Sequence, residues 1–396
     1  TKNRGFYIPE SQQCKIVQSP NTVTLVSYDL LPYFWKSLRS KTNYQYDLVV
    51  PDEAHFLKEL KTKRTKCAYG KEGFLHFTPR MWLVTGTPAP NHIGEMWSCL
   101  FTFRRTTLSY EQFVRKFCTT RPSPYGFRGY TITGTNELAT GEIKQMLKGF
   151  MIRRLKKNVL KDLPKVTYKT EYVEAGEIDF DTSADFIGYV FPIDRRDVFE
   201  KEFKEQAELV SKTIDSLGWA KPASSVGLEA LSSSVSTLRK AIGLKKVKPV
   251  GDIIHQELTD KAYHKIVIFA VHRSVIEGLR ERLKDFHPVT LYGGTPPNKR
   301  QHNIDKFTYK EHCRVFIGNI LAAGVAINLT VAHQLAFIEE DWVPGNNAQA
   351  VKRVDRIGQI FPVTVRFFAI AGGVDEKITK VWKRKTKELT KIFDED

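Results

Sequence analysis

The strongest constraint on the fold is a series of short, β-branched, almost wholly apolar runs, each followed by turn or helix-starting residues. Five lie in the last part of the chain: KIVIFA (265–270), PVTLYGG (288–294), RVFIGN (314–319), HQLAFIEE (333–340) and PVTVRFFAI (362–370). A strand apolar on both faces must be covered on both faces, which a parallel sheet flanked by helices does. The first third carries weaker examples at Thr22–Val26, Asp47–Val50 and Trp82–Thr85. The same βα rhythm therefore occurs twice, and the expected fold class is α/β with two parallel-sheet units.

The expected divisions are a first unit over 1–148, a basic joining helix with a linker or insertion over 149–236, and a second unit over 237–396. Gly149–Val159 (GFMIRRLKKNV) has helical spacing, with Met151, Ile152, Leu155 and Val159 on one side, and Leu163-Pro164 ends it. The charged segment 194–210 predicts an exposed helix, and the Ser-rich stretch 224–236 predicts a linker. Arg121–Gly141, rich in Gly, Pro and Thr, predicts a surface excursion.

Length agrees, since 396 residues suit two or three domains. Sixty-one Lys and Arg against forty-four Asp and Glu leave a net charge of +17, so the default partner is a polyanion such as nucleic acid. With 41% hydrophobic residues the chain is too apolar for disorder, yet no run approaches a membrane span, and the expectation is a soluble, intracellular protein. Cys14, Cys67, Cys99, Cys118 and Cys313 are far apart with no C-x-x-C pair, as free thiols in a reducing compartment would be.

Three segments carry chemistry. LVVPDEAH places Asp52, Glu53 and His55 directly after a strand-like run. A carboxylate there can hold Mg²⁺ against nucleotide phosphates, the role expected of Asp52, while its neighbour Glu53 orients the attacking water. Taken alone, D-E-A-H is equally an ordinary helix start. WLVTGTPAPN repeats the design, with Thr85 and Thr87 at the mouth of a sheet, where hydroxyls and free amides can couple a nucleotide site to a second ligand. QAVKRVDRIGQ (349–359) sets Arg353 and Arg356 three apart, on one face if the segment is helical. Guanidinium groups so placed can neutralise charge on a transferring phosphoryl group.

Together these segments resemble the Swi/Snf-type branch of the superfamily-two helicases, whose motor is two RecA-like lobes closing on ATP. Asp52–His55 is similar to motif II and Thr85–Pro88 to motif III, while TLVSYDLL (24–31), which contains Ser27, is similar to motif Ib. MIRRLKKNVLKDLP (151–164) resembles the basic segment joining the lobes. LYGGTPPNKRQHNIDKF (291–307), with Gly294, Thr295 and Arg300, is similar to the family's G-x-T-x-x-x-R pattern, and NILAAGVAINLTVAH (319–333), with Gly324, Asn328 and Thr330, to motif V. DWVPGNNAQAVKRVDRIGQ (341–359), which contains Trp342 and Gln349, resembles the motif VI block and is the most specific signature. The likeness runs from about Thr22 to Lys391, nearest to annealing helicases, fork remodellers and phage branch-migration helicases.

The resemblance implies ATP and Mg²⁺ as cofactors, bound by Asp52, Glu53, Gly324, Gln349, Arg353 and Arg356. It implies a DNA-dependent ATPase that translocates on double-stranded DNA and remodels forks and Holliday junctions, a monomer working beside replication or recombination proteins. Its compartment would be the cytoplasm of a bacterium or phage-infected host, or a eukaryotic nucleus. DNA contacts must not depend on base identity, since the protein releases and rebinds at each step. The candidates are Ser27, Lys61, Lys63, Arg64, Lys66, Thr85, Thr87, Arg104, Arg105, Arg153, Arg154, Lys156, Lys157, Arg273, Gly294, Thr295, Lys299, Arg300, Asn328, Thr330 and Trp342.

Departures accompany the likeness. Asp355 stands where the family usually has His, Ala323 and Ala326 where it has Gly, and Val343 where it has Asn. The only Gly-Lys step, Gly70-Lys71, is followed by Glu72 and lies after motif II, so no phosphate-cradling Walker A loop is found. The expectation is that the ATP-binding start of the first lobe precedes Thr1. A clamp of the same fold without ATPase activity is the alternative. An RNA helicase is disfavoured by R-I-G-Q at 356–359.

Overall fold

In the computed structural model the described residues are 23–33, 35, 46–122, 130–154, 156–175, 228–323, 327–341 and 343–370. They fall into two compact units, one drawn from 1–88 and 95–104, the other from 89–94 and 105–396. The expected helix at 194–210 lies outside the described residues.

The first unit is organised around two extended segments. Val49 N donates to Arg80 O, Trp82 N to Val49 O, Val84 N to Pro51 O and Ala54 N to Val84 O, all at 2.9–3.0 Å. The segments expected as strands at 47–50 and 82–85 thus lie side by side in parallel. The segment at 23–27 forms no strand, and Val23 and Leu25 stand exposed. Helix α1 (Lys63–Tyr69) starts where the Thr62 hydroxyl accepts the Thr65 amide, a side-chain N-cap. It supplies Ala68 and Tyr69 to a small core with Leu57, against which Tyr28, Leu60, Met81, Leu83 and Phe103 pack, and α2 (Trp97–Thr102) is tied to it where Ser98 Oγ donates to Leu57 O at 2.9 Å.

The second unit begins with α3 (Tyr110–Phe117), which buries Phe113, Val114 and Phe117 and starts with a capping box: Ser109 Oγ accepts the Gln112 amide while Gln112 Oε1 accepts the Ser109 amide. Strands β1 (Cys118–Pro122) and β2 (Tyr130–Thr135) then pair antiparallel in the stretch expected as a surface excursion, β1 exposed after Cys118. After α4 (Thr140–Leu147) the expected helix over 149–159 shrinks to one turn, α5 (Lys156–Val159). Of its apolar stripe Ile152 is 83% exposed and Val159 57% exposed, and Gly149 takes a positive φ of 70° just after α4.

A six-stranded all-parallel sheet dominates this unit. It is formed by β3 (Val166–Val173), β4 (Ile266–Ala270), β5 (Val289–Leu291), β6 (Val315–Asn319), β7 (Gln334–Phe337) and β8 (Val363–Ile370), in the order β3-β8-β7-β4-β6-β5. All five apolar runs of the last part of the chain are strands. The sixth, β3, comes from the segment expected to be joining structure, and it pairs along its full length with β8, Val166 opposite Val363. Helix α6 (Leu228–Thr259) likewise occupies part of the expected linker, and it runs through the expected boundary at 236. Helices α7 (Arg273–Arg282), α8 (Pro297–Tyr309) and α9 (Pro344–Val351) complete the α/β alternation.

Two apolar clusters cover the faces of the sheet. One holds Val267, Phe269, Phe316, Phe337 and Phe367, the other Ile266, Ile268, Val275, Ile276 and Ile317. At the C-terminal ends of β4 and β7 a buried carboxylate organises the loops: Glu339 accepts the amides of Val271 (2.9 Å) and His272 (2.8 Å) and meets His272 Nδ1 at 2.6 Å. Burial alone would raise its pKa, but the hydrogen bonds and charge of His272, helped by Arg239, hold it below the usual carboxylate range. Gly243 lets α6 come this close, since a Cβ there would lie 2.6 Å from Glu339 Oε1.

Candidate nucleotide and nucleic-acid site

In the first unit Glu53 has φ 48° and ψ 49°, a left-handed conformation that costs a non-glycine residue about 1–3 kcal/mol. Local contacts hold it there. Asp52 Oδ1 accepts the Glu53 amide at 2.9 Å, Tyr28 OH donates to the Asp52 carbonyl at 2.8 Å, and Ala54 N donates to Val84 O. Burial raises the Tyr28 phenol to about 12, Asp52 adding to the effect, so it remains a donor at neutral pH.

The turn brings motif II and motif III side chains together. Glu53 Oε2 lies 3.4 Å from Thr85 Oγ1 and 3.2 Å from His55 Nδ1. His55 Nδ1 also lies 3.0 Å from Thr85 Oγ1 and 3.5 Å from Thr87 Oγ1, and Thr85 Oγ1 accepts the Thr87 amide at 3.1 Å. Burial pushes the imidazole below its usual range despite the opposing Glu53 charge. The neutral ring must therefore carry its proton on Nδ1 to serve the carboxylate. His55 has no expected role in the sequence, and its place as the hub of this network depends on the fold of the two extended segments.

Asp52 keeps an exposed carboxylate. No three His, Cys, Asp or Glu side chains gather to hold a metal among the described residues. Mg²⁺ is commonly held by one or two carboxylates plus substrate phosphates and water. Asp52 fits a metal that arrives with a nucleotide, and the four free cysteines among the described residues, Cys67, Cys99, Cys118 and Cys313, take no part.

In the second unit the arginine pair is not helical. Helix α9 stops at Val351, and Arg353 and Arg356 sit in consecutive turns that end at Gly358, where φ is 102°. The turns are stapled from both ends. Leu329 N donates to the Arg353 carbonyl at 2.9 Å, and Arg356 Nη1 reaches Ile327 O at 3.5 Å. Buried Gln359 donates to the carbonyls of Thr330, Ala332 and Val354 and accepts the amides of Ile360 and Phe361. These bonds join motif V to motif VI. Gln349 is half-buried on α9, while Gly324 and Trp342 lie outside the described residues.

The expected DNA contacts divide by what their side chains already touch. Lys61, Lys63, Lys66, Arg104, Arg154, Arg273 and Lys299 are exposed, Ser27 and Asn328 are exposed beside turns, and Arg153 and Thr330 are half-buried. Arg64 is half-buried over the Phe56 ring at 5.5 Å, and Arg273 stacks on Tyr292 at 4.8 Å. Arg105 donates to the carbonyls of Met146 and Lys148, capping α4, and Arg300 donates to those of Thr295 and Gly293, closing the Gly294 turn. Lys156 reaches Asp355, and of the Lys157 side chain nothing is described.

The chain matches the family described as SNF2-related domain over residues 4–182 and that described as helicase conserved C-terminal domain over 246–358. It is 28% identical over 376 residues to the Xenopus laevis "SWI/SNF-related matrix-associated actin-dependent regulator of chromatin subfamily A-like protein 1", covering 94% of this chain and 35% of that protein. It is 26% identical over 373 residues to the Mus musculus "DNA annealing helicase and endonuclease ZRANB3", covering 92% of this chain and 32% of that one. The chain thus spans about a third of the length of these curated relatives. A crystal structure of the C-terminal part of the Fun30 ATPase domain aligns with 59% of this chain and 98% of its own at 18% identity, with a TM-score of 0.40.

Proposed function

Because the chain belongs to the Swi/Snf-type branch of the superfamily-two helicases, we propose that it is the motor part of an ATP-dependent double-stranded DNA translocase that remodels forks and other branched DNA. The observation that carries this reading is the Glu53–His55–Thr85–Thr87 network, which ties a carboxylate suited to orienting water to hydroxyls suited to sensing a second ligand. Asp52 would hold Mg²⁺ carried in on ATP, which lowers the charge on the phosphates; Glu53 would orient the attacking water. Arg353 and Arg356 would neutralise the charge that develops on the transferring phosphoryl group.

The relatives' names supply the substrate class, an annealing helicase among them, and the net charge of +17 suits a phosphate backbone read without regard to sequence. Its place would be wherever the cell keeps DNA. The test is ATP turnover by the full-length protein with no nucleic acid, linear duplex, forked duplex and RNA. Stimulation greatest by forked DNA, with affinity falling steeply from low to moderate salt, is expected. A rate indifferent to DNA would leave the clamp reading, and preferential stimulation by RNA would leave the RNA helicase.

A further inference from the structure

The geometry points to Lys156 as a positioning residue for the arginine turn, acting through Asp355 rather than on a DNA phosphate; the catalytic half of this inference rests on the function proposed above. Lys156 Nζ donates to Asp355 Oδ2 at 2.8 Å and also to the Asp355 backbone carbonyl, so one ammonium grips both the side chain and the main chain of a residue 199 positions away. The pair is partly shielded, with side-chain exposures of 37% for Lys156 and 16% for Asp355, so salt screens it less than it screens the open lysines nearby. Tyr168 on β3 lies within electrostatic reach of the pair, its phenol raised first by burial and then by the Asp355 carboxylate.

Asp355 sits between Arg353 and Arg356. An uncompensated carboxylate there would have two consequences. It would draw the guanidinium groups into charge-assisted hydrogen bonds of its own, and it would repel the phosphates those groups are meant to meet. Lys156 removes both by cancelling the charge. The turn is also held by Asp355 N donating to Val351 O, by Leu329 N on the Arg353 carbonyl and by Gln359, and the grip on Asp355 adds a tie from a distant segment of the chain. Lys156 stands in the basic segment 151–164, so the pair also connects that segment to the turn.

The test compares Lys156→Ala, Asp355→Asn and the double variant with the full-length protein, reading kcat and KM for ATP at saturating duplex, duplex Kd against salt, and amide hydrogen exchange over 352–359. Lys156→Ala should lower kcat by about 10- to 100-fold, the scale of a misplaced catalytic group, with duplex Kd and its salt slope unchanged. Adding Asp355→Asn should recover most of that loss, because the harmful charge is gone; a lysine with a merely structural role predicts no such rescue. If Lys156→Ala instead left kcat intact, weakened duplex binding and cut the salt slope by about one, Lys156 would be a phosphate contact and the inference would fail.

Hydrogen exchange separates this inference from the functional reading. In a wild-type protein without DNA-stimulated ATPase the function falls, yet faster exchange over 352–359 in Lys156→Ala, absent in Lys156→Arg, which keeps a cationic donor for both Asp355 oxygens, still supports the grip. Unchanged exchange overturns it.

Discussion

The first unit holds its chemistry on two short extended segments and a strained turn, whereas the second holds its arginines on turns braced by a six-stranded sheet. Glu53 is kept in an unfavourable conformation by a few polar contacts at a half-exposed site. Arg353 and Arg356 stand on a backbone whose neighbours, Val351, Val354 and Gln359, are buried. The contrast separates two ways of preorganising a site. Local hydrogen bonds can hold a strained turn with few buried neighbours, but that turn opens at low cost, while a turn whose neighbours are buried against a sheet opens at higher cost.

The sharpest way to break this contrast is to remove an arginine. Arg356→Ala should cut DNA-stimulated ATP turnover by about 10³–10⁵-fold while leaving denaturant unfolding unchanged, because the exposed side chain supports no core. Loss of stability in step with activity would show that the turn needs its arginine to fold. Next comes the sheet itself. Phe337→Ala removes a fully buried ring stacked on Phe367 at 4.9 Å and should cost about 3–5 kcal/mol, read as a lower denaturant midpoint for the second unit alone. A common shift of both units would mean that they unfold together.

Smaller is the effect of Ser109→Ala, which removes half of the capping box of α3 and should cost about 1 kcal/mol in the same experiment. The most local is acidification of the first unit. The His55 pKa is lowered in the folded state, so the unfolded chain binds more protons between that value and the ordinary 6.5. The contribution of His55 to stability is therefore complete above about pH 6.5 and is lost as pH falls below it. Amides in 46–57 should exchange faster at pH 5.5 than the chemical rate predicts, and His55→Gln should abolish the excess.

Much of the second unit was legible because its signal is local. A run such as KIVIFA announces a strand covered on both faces, and all five such runs pair in parallel. The motif segments were legible for a similar reason, since DEAH and RIGQ are contiguous. What was hidden depends on distant partners. Helical spacing at 149–159 could not reveal that Ile152 and Val159 stay in solvent. The polar, alternating β3 (VTYKTEYV) does not read as a buried parallel strand because it lies at the sheet edge, with Tyr168 and Tyr172 half-exposed. The spacing of Arg353 and Arg356 suited a helix, yet Gly358 and the Gln359 staple set the local backbone. Nothing near Lys156 in sequence signals Asp355.

The position of β3 has a consequence for how the molecule is made. Its one neighbour in the sheet among the described residues, β8, is synthesised about 200 residues later. At typical elongation rates of about 5–20 residues per second, β3 waits roughly 10–40 s on the ribosome before β8 is made. Its Lys169 and Glu171, charges on an otherwise pairing-competent strand, are the kind of residues that discourage a premature partner during that interval.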